Sequence, residues 1–169
     1  MVFALASRSL RSSSLRPSLA QLSGARRGYA EAINNQLKLS LVVPHKAIYK
    51  NQEVTQVNLA AQSGDLGILS AHIPAIEALR PGVVEVIESS GTSKRFFVSS
   101  GFATVHPNNS LTINAVEAFP LEDFSIEAAR QGLSEAQRVA SGSGSKEEKA
   151  AAEIEIEVFS AIQSALGQQ

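Results

Sequence analysis

The chain has 169 residues and a mass of 17.9 kDa, a size typical of one domain, and its 44% apolar residues suffice for a core. It contains no cysteine, which excludes disulfide frameworks, thiolate metal sites and cysteine nucleophiles. Its net charge of −1, from 15 Lys and Arg against 16 Asp and Glu, gives no electrostatic footprint for nucleic acid. No stretch approaches the roughly 20 apolar residues of a membrane-spanning helix.

The first thirty residues differ in composition from the rest of the chain. They contain five arginines, seven serines and no acidic residue. This pattern predicts a mitochondrial transit peptide over residues 1–29, with mature protein beginning at Ala30. The alternative is a basic arm for nucleic acid or membrane, but such arms favour lysine, which this segment lacks. Removal of five of the 15 basic residues leaves ten against 16 acids, a net charge of −6 that suits a soluble matrix protein.

The segment up to Pro120, residues 30–120, is patterned as short β-strands. Apolar and polar residues alternate with a period of two at residues 37–43, 57–61 and 111–115. Residues 83–87 and 96–98 are apolar on both phases, which predicts strands covered on both faces. Turn residues between the strands, among them Asn108-Asn109 as a tight hairpin, predict a β-sandwich or barrel that completes its own core.

Residues 121–169 are patterned as two helices. Asp123 or Ser125 can cap the first helix, and a Ser-Gly segment at 141–145 ends it. Ser145 and Glu148 form a capping box for the second helix. The short connection favours an antiparallel helical hairpin. Its predicted seam, the apolar face shared by the two helices, comprises Ile126, Ala129, Leu133, Ala136, Ile154, Val158, Ile162 and Leu166.

This seam is rich in alanine and buries little apolar area. At about 0.8 kcal/mol per buried CH₂ group, it cannot easily offset the ordering of both helices, at about 1 kcal/mol or more per residue. We therefore expect the hairpin to pack on a third surface, which is either the sandwich or a partner.

The chain offers few candidates for catalysis, metal binding or cofactor binding. It has no phosphate-binding Gly-rich loop before a helix and no nucleophile elbow. His45, His72 and His106 each lie near a proline and are far apart in sequence, which favours turn positions over a metal site. Glu147, Glu148 and the glutamates at 153, 155 and 157 are most simply a solvated helix face.

Three segments carry a resemblance to a known family: Gly64-Asp-Leu-Gly-Ile-Leu-Ser-Ala-His72-Ile-Pro74, Leu79-Arg-Pro-Gly82 and Phe96-Phe-Val-Ser-Ser-Gly-Phe102. In this order and spacing they resemble the family of rotary ATP synthase subunits that comprises mitochondrial delta and bacterial and chloroplast epsilon. The resemblance covers about residues 37–166. It implies an N-terminal β-sandwich and a C-terminal antiparallel helical hairpin, in agreement with the two periodic regions.

The resemblance also implies a function. A member of this family is a non-catalytic subunit of the central stalk, without a cofactor, on the matrix side of the mitochondrial inner membrane. It couples rotation of the proton-driven c-ring to ATP synthesis in the F1 head through the gamma subunit, with the small mitochondrial epsilon subunit beside it. The first segment is then a loop facing the c-ring, carrying Gly64, Asp65, Leu66, Gly67, Ser70, His72 and Pro74.

One motif departs from the family. Many bacterial relatives bind ATP through an Ile/Leu-Asp-x-x-Arg-Ala sequence on the first helix. Here the matching stretch runs from Ile126 to Gln131, with Glu127 in place of Asp, Gln131 in place of Ala, and Arg130 retained. We expect no tight ATP binding, and Glu127 instead complements the positive end of the helix.

Two other classes of function stay open on the sequence. One is a small mitochondrial β-barrel with an apolar ligand in a wide interior. The other is an enzyme that uses a histidine, most simply His72, beside a carboxylate or serine.

Overall fold

The computed structural model describes residues 36–167. The predicted transit peptide and the processing site at Ala30 lie outside these residues. Nine strands precede two long helices in the described chain, as the change of period predicts. The strands are β1 (Leu37–Val43), β2 (Lys46–Ala61), β3 (Gly64–Leu69), β4 (Ala75–Leu79), β5 (Gly82–Glu88), β6 (Ser93–Val98), β7 (Gly101–His106), β8 (Ser110–Ala115) and β9 (Ala118–Pro120). A 3₁₀ turn at Leu121–Asp123 leads to α1 (Ile126–Ser141) and α2 (Lys146–Gly167).

The strands pair in the order β1-β8-β7-β4-β2-β5-β6-β9, with β3 added to β2. The 16-residue strand β2 joins the two halves of the sandwich, because its first part pairs with β1 and its last part with β3 and β5. It also meets β4, where Ala61 is opposite Leu79. Since β1 pairs with both β8 and β2, strands β1, β8, β7, β4 and β2 form a closed circuit of hydrogen-bonded neighbours.

One apolar core fills the interior of the sandwich. Along β1, buried and half-buried residues alternate strictly, which confirms the predicted period of two. Leu39, Val57 and Ile113 are completely buried in this core. The predicted turn at Asn108-Asn109 connects β7 to β8, and Asn109 has a φ of +57°. Apolar side chains pack in this interior, whereas a ligand-carrying barrel requires a wide lined cavity.

Strands β5 and β6 are covered on both faces, as their apolar composition predicts. Val84 and Phe96 belong to the sandwich core, whereas Val83 and Phe97 point to the other side. There they pack in a second cluster with Leu121 of the 3₁₀ turn, Ala129 of α1, and Ile162, Ala165 and Leu166 of α2. The third surface expected for the hairpin is therefore the outer face of the sandwich.

Both helices begin at the predicted caps. The Ser125 hydroxyl accepts a hydrogen bond of 3.4 Å from the backbone N–H of Ala128 and caps α1. At α2 the Glu148 N–H donates to the Ser145 hydroxyl at 3.2 Å, and the Ser145 N–H donates to the Glu148 carboxylate at 2.7 Å. This reciprocal pair is the predicted capping box.

The predicted seam is wrong at one residue, Ile154, which is 65% exposed. The face of α2 that meets α1 is marked by Phe159, whose ring lies against Gly132, and by the buried Ala152, seven residues earlier. Ile154 precedes Phe159 by five residues and therefore projects about 140° away from it. Val158, Ile162 and Leu166, which continue the same stripe, belong to the second cluster, where they meet both α1 and the sandwich.

The other predicted seam residues are buried or half-buried. Ala129, Ala136 and Ile162 are buried, and Ile126, Leu133, Val158 and Leu166 are half-buried. Alanine and glycine on α1 let the Phe159 ring approach closely, as at Gly132.

Candidate interaction surfaces

The segment 64–74, predicted as one loop, is a strand followed by a turn. Residues Gly64–Leu69 form β3, which pairs with β2 so that Leu66 lies opposite Leu59 and Ile68 opposite Val57. The loop prediction is wrong for this part, because apolar residues at 66 and 68 alternate with exposed neighbours and complete the sandwich. Ser70, where the turn begins, is thus five steps of extended chain, about 16 Å, beyond Asp65.

The Asp65 end of β3 is polar. The Arg80 guanidinium bonds the Asp65 carboxylate at 2.6 Å, and both side chains are largely exposed. Gly67 and Gly82 lie beside this pair, and a Cβ at Gly82 would come within 2.7 Å of Ala60. These small residues open a groove of about 500 Å³ between the sheet and the last turns of α2. Arg80 lies in the second family segment, and its pairing with Asp65 is visible only in the fold.

Further along the same face, Glu85 is held in a polar network. Its carboxylate accepts hydrogen bonds from the Ser93 hydroxyl at 2.7 Å and from the Asn58 amide at 2.8 Å. These two bonds lower the pKa of Glu85 below its usual value of 4.5. The carboxylate is therefore ionised at neutral pH and already engaged within the chain.

The turn at the other end of β3, residues 70–74, is apolar at its surface. Ile73 of this turn is 75% exposed, and Leu69, the last residue of β3, is also exposed. Ala71 has a φ of +61°, and its N–H donates to the Asn109 side chain at 2.8 Å. The predicted site residue His72 has its Nδ1 at 2.8 Å from the carbonyl oxygen of Ile73. His72 is thus part of the turn that precedes Pro74.

An exposed apolar pair lies on the outer face of the neighbouring strands. Ile76 of β4 is 73% exposed and Phe102 of β7 is 58% exposed. Because Ala78 is opposite Phe102 and Ile76 is opposite Thr104, the two side chains are diagonal neighbours on one face. Together with Leu69 and Ile73 we call these residues the apolar surface. Sequence reasoning missed it, since two exposed apolar residues on separate strands leave no local pattern.

Residues of the altered nucleotide motif stabilise the helix that contains them. Glu127 lies in the first turn of α1, and the Ser125 hydroxyl donates to its carboxylate at 3.0 Å. A hydrogen bond from its own backbone N–H, followed by the one from Ser125, lowers the pKa of Glu127. Ile126 is half-buried and Arg130 is exposed. The Glu127 carboxylate therefore stabilises the positive end of α1.

The three histidines do not come together. His106 contacts Thr112 at 3.2 Å across β7 and β8, while His45 and His72 lie in separate turns. Within residues 36–167 no group of three His, Asp or Glu side chains is placed to hold a metal ion. No helix in the same part of the chain is long and apolar enough to cross a membrane.

A filled sandwich, a docked hairpin and several large apolar side chains exposed at the surface are typical of a protein-interaction module. The profile described as ATP synthase, Delta/Epsilon chain, beta-sandwich domain matches residues 36–120. The chain belongs to this family of ATP synthase delta/epsilon chains.

The relatives span almost the whole chain. The protein named ATP synthase subunit delta, mitochondrial, of Agaricus bisporus is 62% identical over 157 residues, which cover 93% of this chain and 96% of that protein. The protein of the same name from Neurospora crassa is 52% identical over 152 residues, with 90% and 92% covered. In the cryo-EM structure of Euglena gracilis mitochondrial ATP synthase, OSCP/F1/c-ring, one chain matches with a TM-score of 0.74 and 30% identity, covering 78% of this chain and 82% of that one.

Proposed function

We propose that this chain is the non-catalytic delta subunit of the central stalk of mitochondrial ATP synthase. In that role it couples rotation of the c-ring to ATP synthesis in the F1 head through the gamma subunit. The observation that carries the proposal is the 62% identity to a mitochondrial delta subunit over nearly the full length of both chains. Residues 1–29 are its transit peptide, and the mature protein works on the matrix side of the inner membrane.

The two ends of β3 differ in chemistry, and we assign them to different partners. The exposed Asp65–Arg80 pair and the nearby turn of Gln62 and Ser63, between β2 and β3, suit the polar loops of the c-ring. The apolar surface of Leu69, Ile73, Ile76 and Phe102 suits a protein interface, and we assign it to the gamma subunit. An exposed ion pair contributes about 0–1 kcal/mol, so Asp65 adjusts the contact with the ring rather than creating it.

The hairpin is the contact for the mitochondrial epsilon subunit. Its seam and the second cluster hold it on the sandwich, while Ile154 and Val139 remain exposed on the helices. ATP is not a ligand of this hairpin, because the Glu127 carboxylate is engaged by Ser125 and by the N-terminus of its own helix.

Cysteine cross-linking in the assembled enzyme tests these assignments. The chain has no native cysteine, so each introduced cysteine is the only one in this subunit. A cysteine at Asp65 should cross-link to a cysteine in the polar loop of the c-ring, and a cysteine at Ile73 should cross-link to the gamma subunit. A cysteine at Gln137, exposed on α1, is the control and should do neither.

Loss of the subunit provides the functional test. Mitochondria without it should hydrolyse ATP without pumping protons, and the intact chain should restore pumping. Independent turnover by the purified chain, or its absence from the isolated complex, would contradict the proposal.

A further inference from the structure

Asn109 lies where three segments of the chain meet. Its side-chain Oδ1 accepts the 2.8 Å hydrogen bond from the Ala71 N–H, in the turn between β3 and β4. Its carbonyl oxygen accepts a 2.9 Å hydrogen bond from the N–H of Lys38, at the start of β1. Asn109 itself ends the turn between β7 and β8. The residue therefore ties the 70–74 turn to the ends of three strands.

The turn needs such a tie because of its backbone. Ala71 has a φ of +61°, in the left-handed region that residues with a Cβ rarely adopt. Asn109 also has a positive φ, +57°, but asparagine tolerates this region. A non-glycine residue keeps a positive φ only when its surroundings hold it there. The bond from Ala71 to Asn109 is a specific interaction that holds it.

The conformation of Ala71 determines where its neighbours point. Leu69 and Ile73, two residues on either side, are both exposed members of the apolar surface. The chain is not restrained by strand pairing again until Ala75, at the start of β4. A change of φ at Ala71 therefore reorients Ile73, while Ile76 and Phe102 stay in place on their strands.

We infer that Asn109 is a positioning residue that holds the 70–74 turn in the conformation that presents Ile73 to the partner of the apolar surface. The inference rests on the proposed function in one respect, the assignment of this surface to the gamma subunit. Asn109 itself does not belong to the surface that docks. It acts through Ala71.

The test uses Asn109→Gly, which permits the positive φ of residue 109 but removes Oδ1. In the full mature chain, amide hydrogen exchange at Ala71 should accelerate about two- to tenfold, the usual effect of one lost hydrogen bond. In the assembled enzyme, the yield of the cross-link from a cysteine at Ile73 to the gamma subunit should fall. The cross-link from a cysteine at Asp65 to the c-ring should keep its yield.

Three further variants separate positioning from general stability. Asn108→Gly makes the same change one residue earlier, where the side chain bonds Ser110, and should leave Ala71 exchange unchanged. Asn109→Asp keeps the Oδ1 acceptor, so it should preserve both the slow exchange of the Ala71 amide and the yield of the Ile73 cross-link. Ala71→Gly removes the steric penalty of positive φ, so adding it to Asn109→Gly should restore part of the Ile73 cross-link.

Unchanged Ala71 exchange in Asn109→Gly would overturn the inference, and so would faster exchange with an undiminished Ile73 cross-link. The assignment of the apolar surface to the gamma subunit fails separately, if a cysteine at Ile73 in an otherwise unaltered chain never reaches gamma. Dependence of Ala71 protection on Asn109 would then still support the positioning role.

Discussion

Gly132 of α1 is the residue on which the helical seam depends most directly. A Cβ at this position would lie 2.5–2.8 Å from three atoms of the Phe159 ring. Alanine favours a helix over glycine by about 1 kcal/mol, but overpacking typically costs about 1–3 kcal/mol. We expect Gly132→Ala to lower the melting temperature of the full chain. Gly167→Ala adds the same group where nothing lies within 4 Å and should not lower it, as thermal unfolding followed by circular dichroism would establish.

Ionisation of Glu85 makes the stability of the sandwich depend on pH. Because hydrogen bonds from Ser93 and Asn58 lower its folded pKa, its stabilisation is complete above the ordinary value of 4.5 and is lost as pH falls through the folded pKa. The stability difference between the native chain and Glu85→Gln should therefore be greatest near neutral pH and shrink below pH 4.5. Urea unfolding of both chains across this range measures it. A difference that does not change with pH would contradict the assignment.

At the scale of elements, the hairpin acts as a cover for one face of the sandwich. The sandwich core is complete without it, yet the helices bury Phe97 and partly bury Val83. A chain ending at Pro120 should still unfold cooperatively, but with a lower melting temperature. Exposure of Phe97 should reduce stability by about 1.5–3 kcal/mol, the half-buried Val83 should contribute less, and both should increase binding of a hydrophobic dye.

Replacing the newly exposed side chains provides the control for this truncation. Val83→Thr with Phe97→Thr should return the dye binding of the shortened chain to the level of the full chain, since threonine suits a strand with a solvated face. Dye binding that persists in the double variant, or a truncated chain without a cooperative transition, would show that the hairpin supports the interior of the sandwich as well.

The strands and helices could be predicted because their signals are local. Alternation along β1 and the capping box at Ser145 each depend on a few neighbouring residues. The sequence places Ile154 in the seam, whereas the structure leaves it exposed. A helix that packs on two surfaces carries two apolar stripes, and the sequence does not show how far along the helix each surface extends. The sequence predicts a loop at residues 64–69, whereas pairing with β2 makes this segment a strand despite its two glycines.

The candidate sites were only partly predictable. The first family segment contains Asp65 and the 70–74 turn. That these lie at opposite ends of a strand depends on the pairing of β3 with β2. The bond from Ala71 to Asn109 joins residues 38 apart, and Arg80 reaches Asp65 across 15 residues. Contacts of this kind arise from the closure of the sheet and leave no pattern along the chain.

For the molecule as a whole, attachment to the stalk should depend on the apolar surface. Phe102→Asp should leave the melting temperature almost unchanged, because the side chain is already exposed. It should weaken assembly with the gamma subunit by about 1–4 kcal/mol, the range for a central apolar contact. Co-purification of gamma with the tagged chain at increasing salt concentration measures the effect.

Ile154→Asp is the matched control for this variant, since it places the same charge on an exposed apolar residue of the hairpin. It should leave gamma attached and reduce the amount of the small epsilon subunit. If both variants lose gamma equally, the apolar surface has no special role in that attachment.

The circuit of five strands has a mechanical consequence. A thin-walled tube resists twisting far better than the same tube slit along its length, because in the slit tube the two edges slide past each other. Backbone hydrogen bonds from Gln62 to Ala78 and from Arg80 to Ala60 join β2 to β4. The β1–β2 ladder completes the circuit on the other side of β2. A body built in this way turns as one piece when one end is driven and the other is loaded, so little of the rotation is lost as elastic twist within the subunit.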